Sequence, residues 1–199
     1  MNYLLTNDQI KHYRKNGYLV SRNFFTKKDI KNLITWINEI ENFKEVKGKW
    51  MKYYDRSIKN KNQNILTRIE NFYDYHKKLK KFFSDKKILD QLKKINGSKL
   101  VLFKDKINFK YPGAKGFKAH QDATIWDGMY GIKTFISVVI SIDHSSKKNG
   151  RLEISNYNSK QKLLSQSWKK MTKSMEKKIK WHPVDTKPGD LIIFNDYTP

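Results

Sequence analysis

The 199-residue sequence predicts an α+β domain in which helices come first and a barrel or jelly roll of short antiparallel strands follows. Up to Gly97, apolar residues recur mainly at helical spacing, whereas after Gly97 they alternate with polar residues, as in strands. Turn sequences such as "SSKKNG" separate the later segments. The length suits one domain, 1–199, with a helical part at 1–97 and a β-roll core at 98–199.

Two helices are predicted near the start. "TNDQ" at 6–9 is a capping box that opens the first, and Gly17 ends it. "TKKD" at 26–29 opens the second, in which isoleucine and leucine recur at helical spacing as far as Ile40. The intervening "YLVSRNFF" is predicted to be a short strand or an extended link. Residues 44–64 show no period and are predicted to form a surface loop or an active-site flap.

Helical spacing returns over residues 65–83 and again over 88–95. His76 lies on the apolar stripe of the first of these segments, so we expect a packed histidine rather than a metal ligand. Ser84 is predicted to cap the following helix, which Gly97 ends.

Strands are predicted from residue 98 onwards. Over residues 106–111, lysine or asparagine on one face alternates with an apolar residue on the other. "KTFISVVISID" is a nearly continuous β-branched run that predicts a central strand, and "RLEIS" continues as a strand. Residues 157–180 are polar and partly helical, with Trp168 and Met171 as expected anchors. A strand, a Pro-Gly turn at 188–189 and a final strand complete the pattern.

The composition excludes several classes of protein. Without cysteine there can be no disulfide, thiolate zinc site or cysteine nucleophile, which suits a cytoplasmic protein. No apolar run is long enough to span a membrane, and no signal peptide is visible. The net charge of +23 comes from lysine pairs scattered along the chain, as on solvated helix faces. We therefore expect attraction of anionic substrates, but no specific nucleic-acid partner.

The segment "FKAHQDATIWDG" at 117–128 contains the candidate catalytic residues His120 and Asp122. Residues two apart lie on the same side of a strand, so the imidazole and the carboxylate can face one atom. They would supply two corners of the 2-His-1-carboxylate triad that holds non-haem iron, with a distant histidine as the third. Taken alone, the pair is explained more simply as a strand-end histidine bonded to a nearby carboxylate.

Four segments together resemble the phytanoyl-CoA dioxygenase superfamily of Fe(II)/2-oxoglutarate oxygenases. They are "LTNDQIKHYRKNGYLVSRNFFTKKDI", "INFKYPGAKGFKAHQD", "SIDHSSKKNGRLEI" and "TKPGDLIIFNDYTP", in the order of the family and with plausible spacing. The resemblance covers residues 1–199. It implies a double-stranded β-helix, or jelly roll, wrapped by N-terminal helices, with Fe(II) as metal and 2-oxoglutarate and O2 as co-substrates.

Site residues follow from the same resemblance. His120 and Asp122 match two iron ligands. The strand 106–110 is similar to the Arg-Ile-Asn-x-Lys of the ectoine-hydroxylase branch, which implies that Asn108 and Lys110 contact 2-oxoglutarate and that Lys106 lies nearer the substrate. The alternative is that these lysines line the solvent face. Trp126 resembles a pocket aromatic, and a plain core tryptophan is the alternative.

The resemblance departs at the C-terminus, because the second histidine ligand and a 2-oxoglutarate-binding arginine are expected after Pro199. Neither His144 nor His182 matches the missing position, and both are expected to be structural or exposed. We therefore expect the sequence to be a truncated product or a fragment, with two protein ligands, weak metal binding and little activity.

The implied reaction is hydroxylation of a C–H bond coupled to oxidative decarboxylation of 2-oxoglutarate. The lysine-bearing strand favours a small anionic or zwitterionic substrate. "LFKDKINFKYPGAKGFKAHQDA" is similar to relatives that hydroxylate aminoalkylphosphonates, which makes such a compound the leading substrate, ahead of an ectoine-like or acyl-carrier substrate. Two alternatives are a catalytically inactive jelly-roll binding module and a basic nucleic-acid-binding protein.

Overall fold

The computed structural model describes residues 4–131, 135–156, 163–165 and 170–199. In these residues the α-helices are α1 (Asn7–Asn16), α2 (Lys27–Glu41), α3 (Lys77–Phe83), α4 (Lys86–Asn96), α5 (Ala123–Tyr130) and α6 (Lys173–Lys177). The strands are β1 (Tyr18–Ser21), β2 (Met51–Arg56), β3 (Asn64–Glu70), β4 (Lys106–Asn108), β5 (Ile136–Ile140), β6 (Leu152–Ser155), β7 (Trp181–Val184) and β8 (Leu191–Asn195). Short 3-10 turns lie at Tyr73–Tyr75 and Lys147–Asn149.

The described strands form three antiparallel sheets, with the orders β1-β8-β5, β2-β3-β4 and β6-β7. The main core lies between the first two sheets and the helices, and its most deeply buried members come from α2, α3, β1, β3 and β8. These include Leu33, Ile40, Ile69 and Ile193, each at most 1% exposed. This packing confirms the α+β class, in which helices cover antiparallel sheets.

The first two helices are confirmed together with their caps. Thr6 accepts a hydrogen bond from the backbone N–H of Gln9, and Thr26 accepts one from that of Asp29, each completing a capping box. Gly17 ends α1 with a left-handed conformation, φ 80°. "YLVS" is a strand, as one of the two predicted alternatives, because β1 pairs with β8.

Two predictions for the middle of the chain are wrong. Residues 44–64 are not wholly a loop, because they include β2 and the first residue of β3. Residues 65–83 are not one helix: β3 runs to Glu70, a 3-10 turn follows, and only Lys77–Phe83 is α-helical. Pairing of β3 with both β2 and β4 gives its backbone two sets of partners and overrides the local helical spacing.

Smaller differences concern caps and strand order. The N-cap of α4 is Asp85, which accepts from the N–H of Lys87, while Ser84 ends α3. The run predicted as a central strand forms β5, which lies at the edge of its described sheet beside the central β8. His76 is buried as predicted and bonds to Glu39 through Nε2 at 2.9 Å.

Residues 1–97 and 98–199 share their sheets. Besides its helices, the first part contributes β1, which pairs with β8, and β3, which pairs with β4. Met171 is buried as predicted, whereas Trp168 lies outside the described residues. In the described part of the chain, no helix combines the length and apolar character needed to cross a bilayer.

Candidate metal centre

The candidate ligands His120 and Asp122 lie in a turn that leads into α5, not on a strand. Asp122 has helical backbone angles and is the residue before Ala123, the first residue of α5. The expected strand geometry is therefore wrong, yet the side chains converge: His120 Nε2 lies 3.6 Å from Asp122 Oδ1. Both side chains are partly exposed, at 44% and 29%.

The intervening residue, Gln121, points the other way and anchors the turn. Its side chain is 1% exposed, donates through Nε2 to the carbonyl of Tyr197 and accepts from the N–H of Leu164. The N–H of Ala123 donates to the carbonyl of Asp196, just after β8, at 2.8 Å. The residues that follow β8 thus hold the turn through Gln121 and Ala123, while the side chains of His120 and Asp122 stay partly exposed.

Hydrogen bonds orient both candidate ligands. His120 Nδ1 lies 2.7 Å from the carbonyl oxygen of Lys118, which can only accept, so the neutral ring carries its proton on Nδ1 and its lone pair on Nε2. Ser137 on β5 donates to Asp122 Oδ2 at 3.0 Å and leaves Oδ1 facing the imidazole. Two acceptor atoms then face each other, an arrangement that a cation between them would stabilise.

Within the part of the chain that the structure describes, no third protein ligand lies near this pair. Among the described residues, no group of three histidine, cysteine, aspartate or glutamate side chains could hold a metal ion. His144 is exposed, and His182 is half-buried beside Tyr18, with ring centroids 6.4 Å apart.

Asp196 is an acidic neighbour of the site that the sequence analysis did not identify. Its side chain is 1% exposed, and Oδ2 has no hydrogen-bond partner within the described residues. Burial, reinforced by the negative charges of Asp122 and Asp127, raises the pKa of Asp196 to about 7. A raised pKa is typical of a functional pocket that concentrates negative charge.

The predicted co-substrate strand presents its polar side chains on one face. Lys106 and Asn108 are exposed on β4, whereas Ile107 packs against the core. Burial lowers the pKa of Lys110, whose ammonium donates to the carbonyl of Gly150 beyond β5. Although Lys106 is exposed as a residue, desolvation of its ammonium lowers its pKa, partly offset by the charge of Asp122. Lys106 therefore lies within electrostatic reach of the candidate metal site.

Trp126, on α5, belongs to an aromatic cluster. Its ring lies 5.0 Å from that of Phe103, 5.6 Å from Phe135 and 6.2 Å from Tyr130, and the ammonium of Lys104 lies 6.0 Å from its centroid. Phe103 and Tyr130 are more than half exposed. Trp126 is thus half-buried in an open aromatic wall, which differs from a plain core position.

The fold has antiparallel sheets and, in the turn before α5, a histidine–aspartate pair oriented for one cation beside a basic strand. These features define an α+β protein with a candidate mononuclear metal site. Residues 13–199 match the family model described as "Phytanoyl-CoA dioxygenase (PhyH)". Because the match covers most of the sequence, the chain belongs to the phytanoyl-CoA dioxygenase family, and the resemblance noted above is confirmed.

Two curated relatives extend this comparison. The chain is 37% identical over 195 residues to a 2-aminoethylphosphonate dioxygenase from an uncultured bacterium, HF130_AEPn_1, covering 98% of this chain and 74% of the relative. It is 28% identical over 200 residues to a methylphosphonate hydroxylase from Gimesia maris, covering 100% of this chain and 75% of the relative.

Solved structures share the fold. EctD from S. alaskensis, crystallised with 2-oxoglutarate and 5-hydroxyectoine, superimposes with a TM-score of 0.75 at 14% identity, over 98% of this chain and 68% of that one. The α-ketoglutarate-dependent epimerase SnoN from nogalamycin biosynthesis gives a TM-score of 0.75 at 12% identity, over 96% and 73% of the two chains. At these identities the likeness shows the fold alone, and it confirms the predicted jelly roll.

Proposed function

We propose that the protein is an Fe(II)/2-oxoglutarate-dependent dioxygenase that hydroxylates a C–H bond of a small phosphonate, with an aminoalkylphosphonate as the leading substrate. The observation that carries the metal assignment is the convergence of His120 Nε2 and Asp122 Oδ1 at 3.6 Å, each oriented by a hydrogen bond at its other atom. The substrate class is supported by the names of the two curated relatives.

Iron fits the donor set at this site. A neutral imidazole and a carboxylate suit Fe(II), and they belong to the facial triad that leaves positions open for co-substrates. With two such ligands in the described part of the chain, we expect weak affinity for Fe(II) from these residues alone. When bound, iron with 2-oxoglutarate and O2 would supply the oxidising chemistry, coupling decarboxylation of the keto acid to hydroxylation.

The other residues would bind and orient the two organic molecules. Asn108 and Lys110 are proposed to hold 2-oxoglutarate, since an ammonium makes strong charge-assisted bonds to a carboxylate. To do so, Lys110 would exchange its bond to the carbonyl of Gly150 for one to the keto acid. Lys106 and Trp126 are proposed to face the substrate, the first through charge and the second as an apolar wall.

The test combines metal binding with turnover. Fe(II) binding is measured anaerobically by calorimetry, and succinate release from 2-oxoglutarate is followed with 2-aminoethylphosphonate, methylphosphonate or ectoine. We expect phosphonates, but not ectoine, to raise succinate release above the rate without substrate. The ratio of the two rates is used because it is informative even at low absolute activity.

His120→Ala is the informative variant, and His144→Ala is its matched control, because His144 is exposed. We expect His120→Ala to abolish both Fe(II) binding and stimulation, and His144→Ala to preserve them. Equal Fe(II) affinity in the two variants would exclude the proposed centre. The family membership and the names of the relatives give no support to an inactive binding module or a nucleic-acid-binding protein.

A further inference from the structure

We propose that Arg68 and Lys104, both held by the buried carboxylate of Glu70, bind the phosphonate group of the substrate together with Lys106. This inference rests on the function proposed above and assigns the recognition of its anionic group. The carboxylate of Glu70 is 6% exposed; its Oε1 lies 2.9 Å from Arg68 Nε, and its Oε2 lies 3.1 Å from Lys104 Nζ.

Strand register places these groups on one face. In the antiparallel pair of β3 and β4, Arg68 lies opposite Asn108 and Glu70 lies opposite Lys106. Because side chains two apart share a face, all four lie on the side away from the Ile69–Ile107 pair, which packs in the core. The face that carries the proposed co-substrate residues thus continues across β3.

The neighbouring backbone fixes this face. Asp105 lies between the two lysines at 104 and 106 and accepts three backbone N–H bonds, from Asn71, Phe72 and Tyr73, at 2.6–2.8 Å. Its carboxylate is therefore occupied by the backbone of the turn after β3. The carboxylate that pairs with Lys104 is that of Glu70, not that of the adjacent Asp105.

Contacts on either side connect the face to the rest of the site. Lys104 Nζ lies 6.0 Å from the ring centroid of Trp126 on α5. The guanidinium of Arg68 stacks 4.0 Å from the ring of Tyr53, which lies opposite it on β2. Trp126 lies in the first turn of α5, which begins directly after Asp122, so its contact with Lys104 places this lysine against the helix that adjoins the candidate metal site.

The charge of the face matches a phosphonate better than a carboxylate. Three cations and one carboxylate leave a net charge of +2, and a phosphonate carries up to two negative charges on three oxygens. Glu70 contacts Arg68 at Nε, which leaves the outer edge of the guanidinium, Nη1 and Nη2, for bidentate binding of two oxygens. A carboxylate ligand would leave one positive charge uncompensated.

The experiment measures binding of 2-aminoethylphosphonate and of its carboxylate isostere, β-alanine, by calorimetry in the presence of Fe(II) and 2-oxoglutarate without O2. Arg68→Gln and Lys104→Gln are each expected to weaken phosphonate binding about 10- to 100-fold, the usual effect of losing a bond to a charged group. Arg56→Gln is the matched control, because Arg56 is exposed at the opposite end of β2, and it should change affinity less than twofold.

Glu70→Gln separates positioning from net charge. The variant removes the negative charge of Glu70 and so raises the net charge of the face from +2 to +3. Tighter phosphonate binding would show that net charge alone determines affinity and would overturn the positioning role of Glu70. We expect weaker binding, because Arg68 and Lys104 lose their shared anchor. Arg68→Lys keeps the positive charge but lacks the two parallel N–H groups of the guanidinium, so we expect a loss of phosphonate affinity smaller than that of Arg68→Gln. This variant provides the test if a glutamine variant folds poorly.

The outcomes separate this inference from the proposed function. If the wild type turns over phosphonates while Arg68→Gln and Lys104→Gln bind them as the wild type does, the inference is wrong and the function stands. If the wild type binds Fe(II) and binds phosphonate in an Arg68-dependent manner, but phosphonate does not raise succinate release above the rate without substrate, the site stands and the function is wrong. If the wild type binds β-alanine as tightly as 2-aminoethylphosphonate, the assignment of a phosphonate site is wrong.

Discussion

Replacing the buried carboxylic acid Asp196 with asparagine should change how stability depends on pH. Burial and the charges of Asp122 and Asp127 raise the pKa of Asp196 to about 7 in the fold, whereas an aspartate in an unfolded chain titrates near 3.9. Below about pH 4, both states hold the proton. Between about pH 4 and 7 the unfolded state loses it first, so the contribution of Asp196 to stability is lost as pH rises.

The magnitude follows from the size of this pKa difference. About three pH units at about 1.36 kcal/mol each give an upper limit of about 4 kcal/mol. Water relaxation near the turn screens part of this energy, so we expect about 2 kcal/mol. Asp196→Asn has the same shape and no titration, so its stability relative to the wild type should improve by about 2 kcal/mol between pH 4 and pH 8.

Urea denaturation at pH 4, 6 and 8, with EDTA to remove metal ions from Asp122, measures this difference. Asp55→Asn is the control, because Asp55 is exposed on β2, and its stability relative to the wild type should stay constant with pH. The reasoning is refuted if the difference between Asp196→Asn and the wild type is the same at all three pH values within about 0.5 kcal/mol, the usual error of such comparisons.

Two further predictions concern the scaffold of the site. Ile193→Ala should reduce the free energy of unfolding by about 3 kcal/mol in urea denaturation, because this side chain is fully buried on the central β8. Val139→Ala should reduce it by less than about 1 kcal/mol, because Val139 on β5 is exposed. Gly189→Ala should cost at least about 2 kcal/mol, since φ of Gly189 is +95° and a Cβ there would lie 2.7 Å from the carbonyl oxygen of Phe25. Gly48→Ala should cost about 1 kcal/mol, because Gly48 has a φ of +81° but nothing within 4 Å of an added Cβ. Equal decreases in Tm for the two glycine variants would contradict the close approach at Gly189.

Helix ends were predictable because their causes are local. Thr6 and Thr26 each bond to a residue three positions later, and Gly17 and Gly97 adopt left-handed angles that glycine accommodates without strain. The residue that caps each helix and the backbone N–H that it binds therefore lie within one helical turn of each other in the sequence. Ser84 was the exception, because the adjacent Asp85 offers an equally good cap.

The strand β3 could not be predicted from spacing, because Ile65 and Ile69 are four residues apart. That separation places two side chains on one face of a helix and equally on one face of a strand. Pairing with β2 and β4 decides between the two, and those partners are distant in sequence. Because of this wrong choice the sequence analysis missed Arg68 and Glu70, which share a face with Lys106 and Asn108 of β4 only if the segment is extended.

The candidate ligands were selected by a pattern whose geometric explanation was wrong. His120 and Asp122 converge because Gln121 is buried between them and because Lys118 and Ser137 orient the two side chains. Ser137 is 15 residues away from Asp122 along the chain. The His-x-Asp spacing thus identifies the residue types, while the orientation of each donor atom depends on contacts that spacing does not encode.

Composition likewise does not indicate which basic residues of the chain bind an anion. A net charge of +23, scattered as lysine pairs, says little about binding, because most exposed cations are screened and interchangeable. Arg68 and Lys104 differ from them because one buried carboxylate, Glu70, fixes both. A cation held in place loses little conformational entropy when an anion binds, so its contribution to affinity exceeds that of a mobile lysine. We therefore expect recognition of a phosphonate to depend less on the number of basic residues, forty-two, than on Glu70, the acidic residue that pairs with two of them.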